Sequence, residues 1–273
     1  MSATAACAKV LGAHIAFIDI ETIRFSINMN NFGSIRPKAI IVTNLFGHPA
    51  YLKTMRSWCD SNRVWMIEDN AQSPFAKEGD QYAGTIGHIG VFSLNVHKHI
   101  QTGEGGVIVT NDDALGDRLR GAINHGELGN SGQAGLNLRI TEPIASIASA
   151  QLDKAPAIMR GRIALALEVI DMFDLPWLIV PQRPDLGCTH SYYIAAFRVM
   201  DGKRQQILDR LWKRSFPMRK GYSPTLNRVF GGKSCPVAER LEDEELMTFE
   251  VCAYDPSSWH LRQMREIAKW AVE

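Results

Sequence analysis

The 273-residue chain has no excess of either charge: 30 Lys and Arg stand against 29 Asp and Glu, a formal charge of +1. No global field therefore draws it to nucleic acid or to an anionic membrane. Cysteine is sparse. Cys7, Cys59, Cys188, Cys235 and Cys252 are odd in number, scattered and without a C-x-x-C pair, so neither a disulfide framework nor a zinc site is indicated. No apolar run approaches the length of about eighteen residues that a membrane span needs, and "MSATAACAKVLGAH" lacks the basic start and apolar stretch of a signal peptide. The glycine cluster "TGEGG" has neither the G-K-[ST] of a P-loop nor the G-x-G-x-x-G spacing of a dinucleotide fold. Repeats and low-complexity tracts are missing too. These absences point to reduced thiols, a cytoplasmic setting, and partners that are small molecules or protein.

What is present is apolar sequence in alternating patterns. With 45% hydrophobic residues the chain can bury a sizeable core, as one large domain or two smaller ones. "HIAFIDI" (14–20) reads as a short strand, and the segment before it, with Ala5, Ala6, Val10 and Leu11, as a helix. "KAIIVTNLF" (38–46) and "RVWMIED" (63–69) read as buried strands flanking a helix that carries Leu52, Met55 and Trp58. Short strands "VFSL" (91–94) and "GVIVTN" (106–111) follow, then a helix over 112–124. This order predicts a mainly parallel sheet covered on both faces.

From Thr141, a suitable N-cap with Pro143 in the first turn, a long helical stretch places Ile144, Ile147, Ala148 and Leu152 on one face and continues through 157–173. Pro176, Pro181 and Pro184 mark a linker. Beyond it, the strand "SYYIAAFRV" (191–199), a helix over 202–215 and a closing helix from Ser258 predict a second, smaller α+β unit. The expected division is 1–160 and 161–273.

Ligands of open α/β sheets sit at the carboxyl ends of strands. Asp69 closes "VWMIED", Ser93 closes "VFS", and Lys98 follows in the next loop, so all three can line one crevice. Each also has a plainer reading, as a turn cap, a backbone partner and a solvated charge. His97 and His99 flank Lys98, but no Cys, Asp or Glu ligand cluster accompanies them, so a metal site is not indicated.

The joint pattern goes further. "IEDNAQS" (67–73), followed twenty-nine positions after Asp69 by the lysine of "FSLNVHKHIQTGEGGVIVTND" (92–112), resembles the DegT-like nucleotide-sugar aminotransferases, a branch of the fold type I pyridoxal 5′-phosphate (PLP) enzymes. "GAHIAFIDI", "VTNLFGHPA", "NHG" (124–126), "GLNLRITE" (135–142), "AQL" (150–152) and "CPVAERL" (235–241) extend the resemblance along most of the chain. It implies an α/β PLP-dependent transferase fold: a large domain with a mainly parallel sheet, N-terminally incomplete, and a smaller α+β C-terminal domain. It also implies PLP as cofactor, glutamate as amino donor and a nucleotide-linked keto sugar as acceptor, in polysaccharide or sugar-antibiotic biosynthesis.

Residue by residue, Lys98 matches the lysine that carries PLP and Asp69 the acid that pairs with the pyridine nitrogen. Gln72 matches the amide beside the ring and Ser93 a phosphate ligand. Asn137 matches an asparagine that reaches the cofactor phosphate of the neighbouring subunit, which implies a homodimer. The chemistry asks for these residue types: a buried carboxylate keeps a ring nitrogen protonated, and a desolvated lysine is the more readily neutral amine. His97 and His99 either tune that lysine, meet substrate or are only structural, and His125 either meets substrate or only shapes a turn.

Two other readings stay open. Some relatives are PLP-dependent sugar dehydratases, in which histidine replaces the lysine; Lys98 argues against that activity. The second is a truncated, non-catalytic subunit. Family members carry a segment ahead of the position matched by Met1, with a small-residue phosphate loop and an aromatic that stacks on the cofactor, and neither has a counterpart here. On that reading the chain alone binds PLP weakly, exposes apolar surface on "IIVTNLF" and "VWMI", and has little transaminase activity.

Overall fold

The computed structural model describes residues 1–127, 134–253 and 258–273. The first unit is built on strands β1 (Ala39–Thr43), β2 (Trp65–Asp69), β3 (Ile89–Ser93) and β4 (Gly106–Val109), side by side in that order. The pairs β1–β2 and β2–β3 are parallel, and β4 closes the edge antiparallel to β3. Helices α1 (Ala3–Val10), α2 (Leu52–Asn62) and α3 (Asp113–Ile123) accompany the sheet. Asp112 starts α3 with its carboxylate accepting from Leu115 N at 2.9 Å.

Alternation along the strands sends Ile40, Val42 and Met66 to one face, where Leu52, Met55 and Cys59 of α2 cover them. The other face carries Ala39, Ile41, Trp65 and Ile67, and it is only partly covered, with Trp65 49% exposed. The expectation of a sheet covered on both faces therefore holds for one face only. A groove of about 350 Å³ runs between the other face and Leu115, Leu119 and Ala122 of α3.

Residues 14–20 do not form the expected strand and make a single bridge, Ile20 to Ile27. Asp19 draws the segment elsewhere: its carboxylate accepts from Val237 N and Ala238 N at 2.9 and 3.0 Å, starting a short helix of the second unit.

Helix α4 (Glu142–Phe173) is 32 residues long, about 48 Å at the usual rise. Thr141 has the extended backbone of an N-cap, but its hydroxyl makes no capping bond. Ala155 and Ile158 pack on Leu94 and Ile100, whereas Leu165 to Phe173 enter the core of the second unit. The division at 160–161 thus falls inside one continuous helix.

The second unit has an antiparallel sheet of β5 (Ile179–Pro181), β6 (Ala195–Val199), β7 (Met218–Arg219) and β8 (Leu246–Phe249), in spatial order β7-β8-β6-β5. It packs on α4, α5 (Arg204–Lys213) and α6 (Ser258–Val272). Strand β6 is shorter than expected because Ser191 to Ile194 leave the sheet to bond the first unit: Ser191 N donates to Gly47 O at 2.9 Å and Ile194 N to Phe46 O at 3.2 Å.

Candidate active site

Thr43 pairs with Asp69, and Asp69 with Val91, so β1 and β2 end level and β3 runs two residues further, to Ser93. The loops that leave them open on one crevice. Asp69 points to the less covered face of the sheet, where its Oδ2 accepts from the Thr4 hydroxyl of α1 at 2.6 Å and its Oδ1 from Ala71 N at 3.2 Å. Glu68, next to it, points the opposite way and is fully buried. Its carboxylate accepts from Gly84 N, Ile86 N, Gly87 N and the Asn44 amide. Adjacent carboxylates thus have separate tasks, one pinning a loop and the other bordering the crevice.

The turn after β3 is set by its own polar side chains. Asn95 N donates to Ser93 Oγ at 3.3 Å, His97 N to Asn95 Oδ1 at 3.1 Å, and the Asn95 amide to Glu104 at 2.7 Å. Lys98 and His99 turn inward and are buried, while His97 is exposed. Lys98 Nζ lies 4.6 Å from the centre of the Tyr193 ring. Burial lowers the Lys98 pKa, against the opposing pull of Asp69 and Cys252. The Met1 side chain is exposed, but its amino group is turned inward beside Asp69 and Lys98, and burial lowers its pKa as well.

Gln72 is buried and held at both ends, Oε1 accepting from Phe46 N at 2.8 Å and Nε2 donating to the Tyr222 hydroxyl at 2.9 Å. Tyr193 also hydrogen-bonds Tyr222. His99 sits edge-on to Tyr193, with Nδ1 3.1 Å from Cys252 Sγ. Burial, helped by the Arg162 charge, pushes the His99 pKa down to about 4, and burial pushes the Cys252 thiol up to about 11.

The structure therefore brings Lys98, Asp69 and Gln72 together, with Ser93 half-buried at the same strand ends. Asn137 lies elsewhere, exposed, its Oδ1 accepting from Arg139 Nε at 3.1 Å. His125 shares that exposed segment, 3.3 Å from Arg139 Nη2.

Sequence reading missed Thr4, Tyr193, Tyr222 and Cys252. None of them carries a local signal, because Thr4, Tyr222 and Cys252 make their contacts with Asp69, Gln72 and His99 far along the chain. Among the described residues, no cluster of three or more His, Cys, Asp or Glu could hold a metal, and no helix is long and apolar enough to cross a membrane.

The architecture is that of the PLP-dependent transferases of fold type I. An aminotransferase from Psychrobacter cryohalolentis matches the fold with a TM-score of 0.90 at 22% identity, over 100% of this chain and 78% of that one. The sequence profile of the DegT/DnrJ/EryC1/StrS aminotransferase family matches residues 1–248, and the chain belongs to that family, whose cofactor is PLP. GDP-perosamine synthase of Escherichia coli O157:H7 is 28% identical over 210 residues, 73% of this chain and 56% of the relative. GDP-4-keto-6-deoxy-D-mannose 3-dehydratase of Yersinia pseudotuberculosis is 29% identical over 197 residues, 63% of this chain and 50% of the relative. The chain spans about half the length of these curated relatives.

Proposed function

We propose that the protein is a PLP-dependent aminotransferase that moves an amino group from glutamate onto the keto carbon of a nucleotide-linked sugar, in polysaccharide or sugar-antibiotic biosynthesis. The observation that carries this reading is Lys98, a lysine buried at the carboxyl ends of parallel strands, with its pKa lowered by that burial and a carboxylate within electrostatic reach. The donor set fits the ring end of PLP: an amine, an acid and an amide converge, and Ser93 offers a hydroxyl for the phosphate.

When bound, PLP supplies the electron sink that loosens the proton on the donor's α-carbon. Lys98 Nζ, desolvated and more readily neutral, would hold the cofactor. With the cofactor bound, the same nitrogen would be placed to act as the base and acid for the donor's α-proton. Asp69 offers its carboxylate to the ring nitrogen and favours the protonated form there. Gln72, fixed between Phe46 and Tyr222, borders the ring without swinging. Tyr193, held by Tyr222, covers the lysine amine. Asn137, exposed on its own segment, serves the phosphate of a second copy, so the working unit is a homodimer. We place the reaction in the cytoplasm, where five free cysteines stay reduced. The dehydratase reading calls for histidine where Lys98 stands.

Borohydride reduction of protein mixed with PLP should leave a covalent pyridoxyl group on Lys98, located by peptide mass spectrometry and absent from Lys98→Ala. Labelling at another lysine overturns the assignment. Asp69→Asn should still be trapped at Lys98 while glutamate-dependent amination slows by about a hundredfold, the effect of losing an electrostatic partner worth on the order of 3 kcal/mol. Unchanged turnover would make Asp69 a turn cap.

A further inference from the structure

Tyr193 presents the face of its ring to Lys98, whose Nζ lies 4.6 Å from the ring centre. An ammonium within about 6 Å of an aromatic face is attracted by the ring quadrupole, and the attraction grows where water is excluded. Both residues are buried. Burial also raises the Tyr193 pKa, so its hydroxyl stays protonated while a lysine titrates, and the ring acts as a neutral face instead of a second charge.

The ring is fixed on several sides. Ser191 N and Ile194 N bond the carbonyls of Gly47 and Phe46, which anchors the backbone before and after it. Its hydroxyl bonds that of Tyr222, which accepts from the Gln72 amide at 2.9 Å, and Gln72 is itself held by Phe46 N. His99 meets the ring edge-on, with centroids 5.9 Å apart at 88°. A wall whose task is only to exclude water needs no such chain of polar contacts, because hydrophobic burial is non-directional. A ring whose face has to stay against one amine does.

Burial is the largest influence on Lys98 and favours its free amine, while Asp69 from the first sheet and Cys252 from the second unit pull the other way. The Met1 amino group lies on the same side, its own pKa lowered by burial. His99, pushed down to about 4, is neutral near pH 7, Cys252, pushed up to about 11, is a thiol there, and the Arg162 charge acts on both. An amine that has to return a proton as well as take one needs its ammonium form within reach. Resting on the aminotransferase reading, we propose that Tyr193 is a positioning residue for Lys98: its ring face holds the ammonium form in the crevice, Tyr222 and Gln72 hold the ring, and together they set the acid–base balance of the lysine.

The full chain, labelled with lysine carrying carbon-13 at Cε, tests this by NMR before any PLP is added. The Lys98 resonance, assigned by its absence from Lys98→Arg, is followed against pH. Tyr193→Leu keeps an apolar wall and removes the ring face, so the Lys98 midpoint should fall by about one pH unit, a tenfold change in the ratio of amine to ammonium. Tyr193→Phe and Tyr222→Phe keep the ring and cut the contact between the hydroxyls. Each should lower the midpoint by less, and the double variant no further than the larger single one. If Tyr193 only excludes water, Tyr193→Leu leaves the midpoint in place or lets water raise it. That result, losses that add in the double variant, or no fall in either phenylalanine variant would overturn the proposal, and the phenylalanine variants decide it should Tyr193→Leu fail to fold. Failure of borohydride trapping at Lys98 would instead fail the cofactor reading, and the titration without PLP keeps the two failures apart.

Discussion

The two sheets of the molecule are built to different degrees of closure. In the C-terminal sheet every residue of β8 is buried, and Phe197, Val199 and Phe249 lie in one core with Phe173, Leu208 and Ala268. In the first sheet only one face is closed over β1 and β2; on the other, Trp65 and Ile108 meet solvent. The candidate site lies where the less closed sheet meets the closed unit. Asp69 and Lys98 come from the first sheet and its loops, whereas Tyr193, Tyr222 and Cys252 come from the second unit. The difference assigns the closed unit the role of a rigid wall and leaves the chemistry to loops on a sheet with free surface.

The largest expected effect lies in the closed sheet. Phe197 is fully buried and packs edge-on against Phe173 at 5.7 Å. Phe197→Ala should cost about 3–5 kcal/mol, read as a lowered midpoint in urea unfolding. A loss below about 1 kcal/mol would mean that this core is far looser than its packing indicates.

The seam between the units should respond to pH. Burial holds His99 at about 4 and also lowers His48 and His190, and all three lie where residues 46–48 and 190–194 join the units. A histidine whose folded pKa lies below its unfolded 6.5 stays neutral in the folded chain while the unfolded chain takes up a proton. Stability is therefore full above about pH 6.5 and declines as pH falls toward 4, by on the order of 3 kcal/mol for His99 alone. Tm should fall across that window, and His99→Gln should flatten part of the slope. A flat profile in the unsubstituted chain would place these histidines in water.

The first sheet has one tight point. A Cβ on Gly90 would stand 1.9 Å from the Gly84 carbonyl oxygen. Gly90→Ala should push back the loop that Glu68 pins through Gly84, Ile86 and Gly87, at about 1–3 kcal/mol. Amide exchange at Gly84 to Gly87 should accelerate more than exchange in β6; equal acceleration would mean general unfolding instead of local release.

Legibility from sequence followed the range of the interactions. The parallel strands, α2, α3 and the Asp69-to-Lys98 spacing were readable because periodicity and strand-end position are local properties. Residues 14–20 were misread because Asp19 answers to Val237 and Ala238, more than two hundred positions away. The wall of Tyr193, Tyr222 and Cys252 was invisible for the same reason. The uncovered face was missed because a short apolar run looks alike whether one face is buried or two.

The smallest effect gives the most direct comparison of the sheets, since one chemical change can be made in both. Val199 of β6 is 0% exposed and Val107 of the edge strand β4 is 43% exposed. Valine to threonine keeps the β-branched shape and adds a hydroxyl, so the cost depends on whether water or a partner can reach that oxygen. At 199 the hydroxyl enters an apolar core and should cost about 1–3 kcal/mol. At 107 it meets solvent on an edge strand, where the expected change is within about 0.5 kcal/mol. Val107→Thr should also reduce self-association at high concentration by making that apolar edge more polar, measured by sedimentation velocity. Equal destabilisation at both positions would show that β4 is covered in solution and that the contrast between the sheets does not hold there.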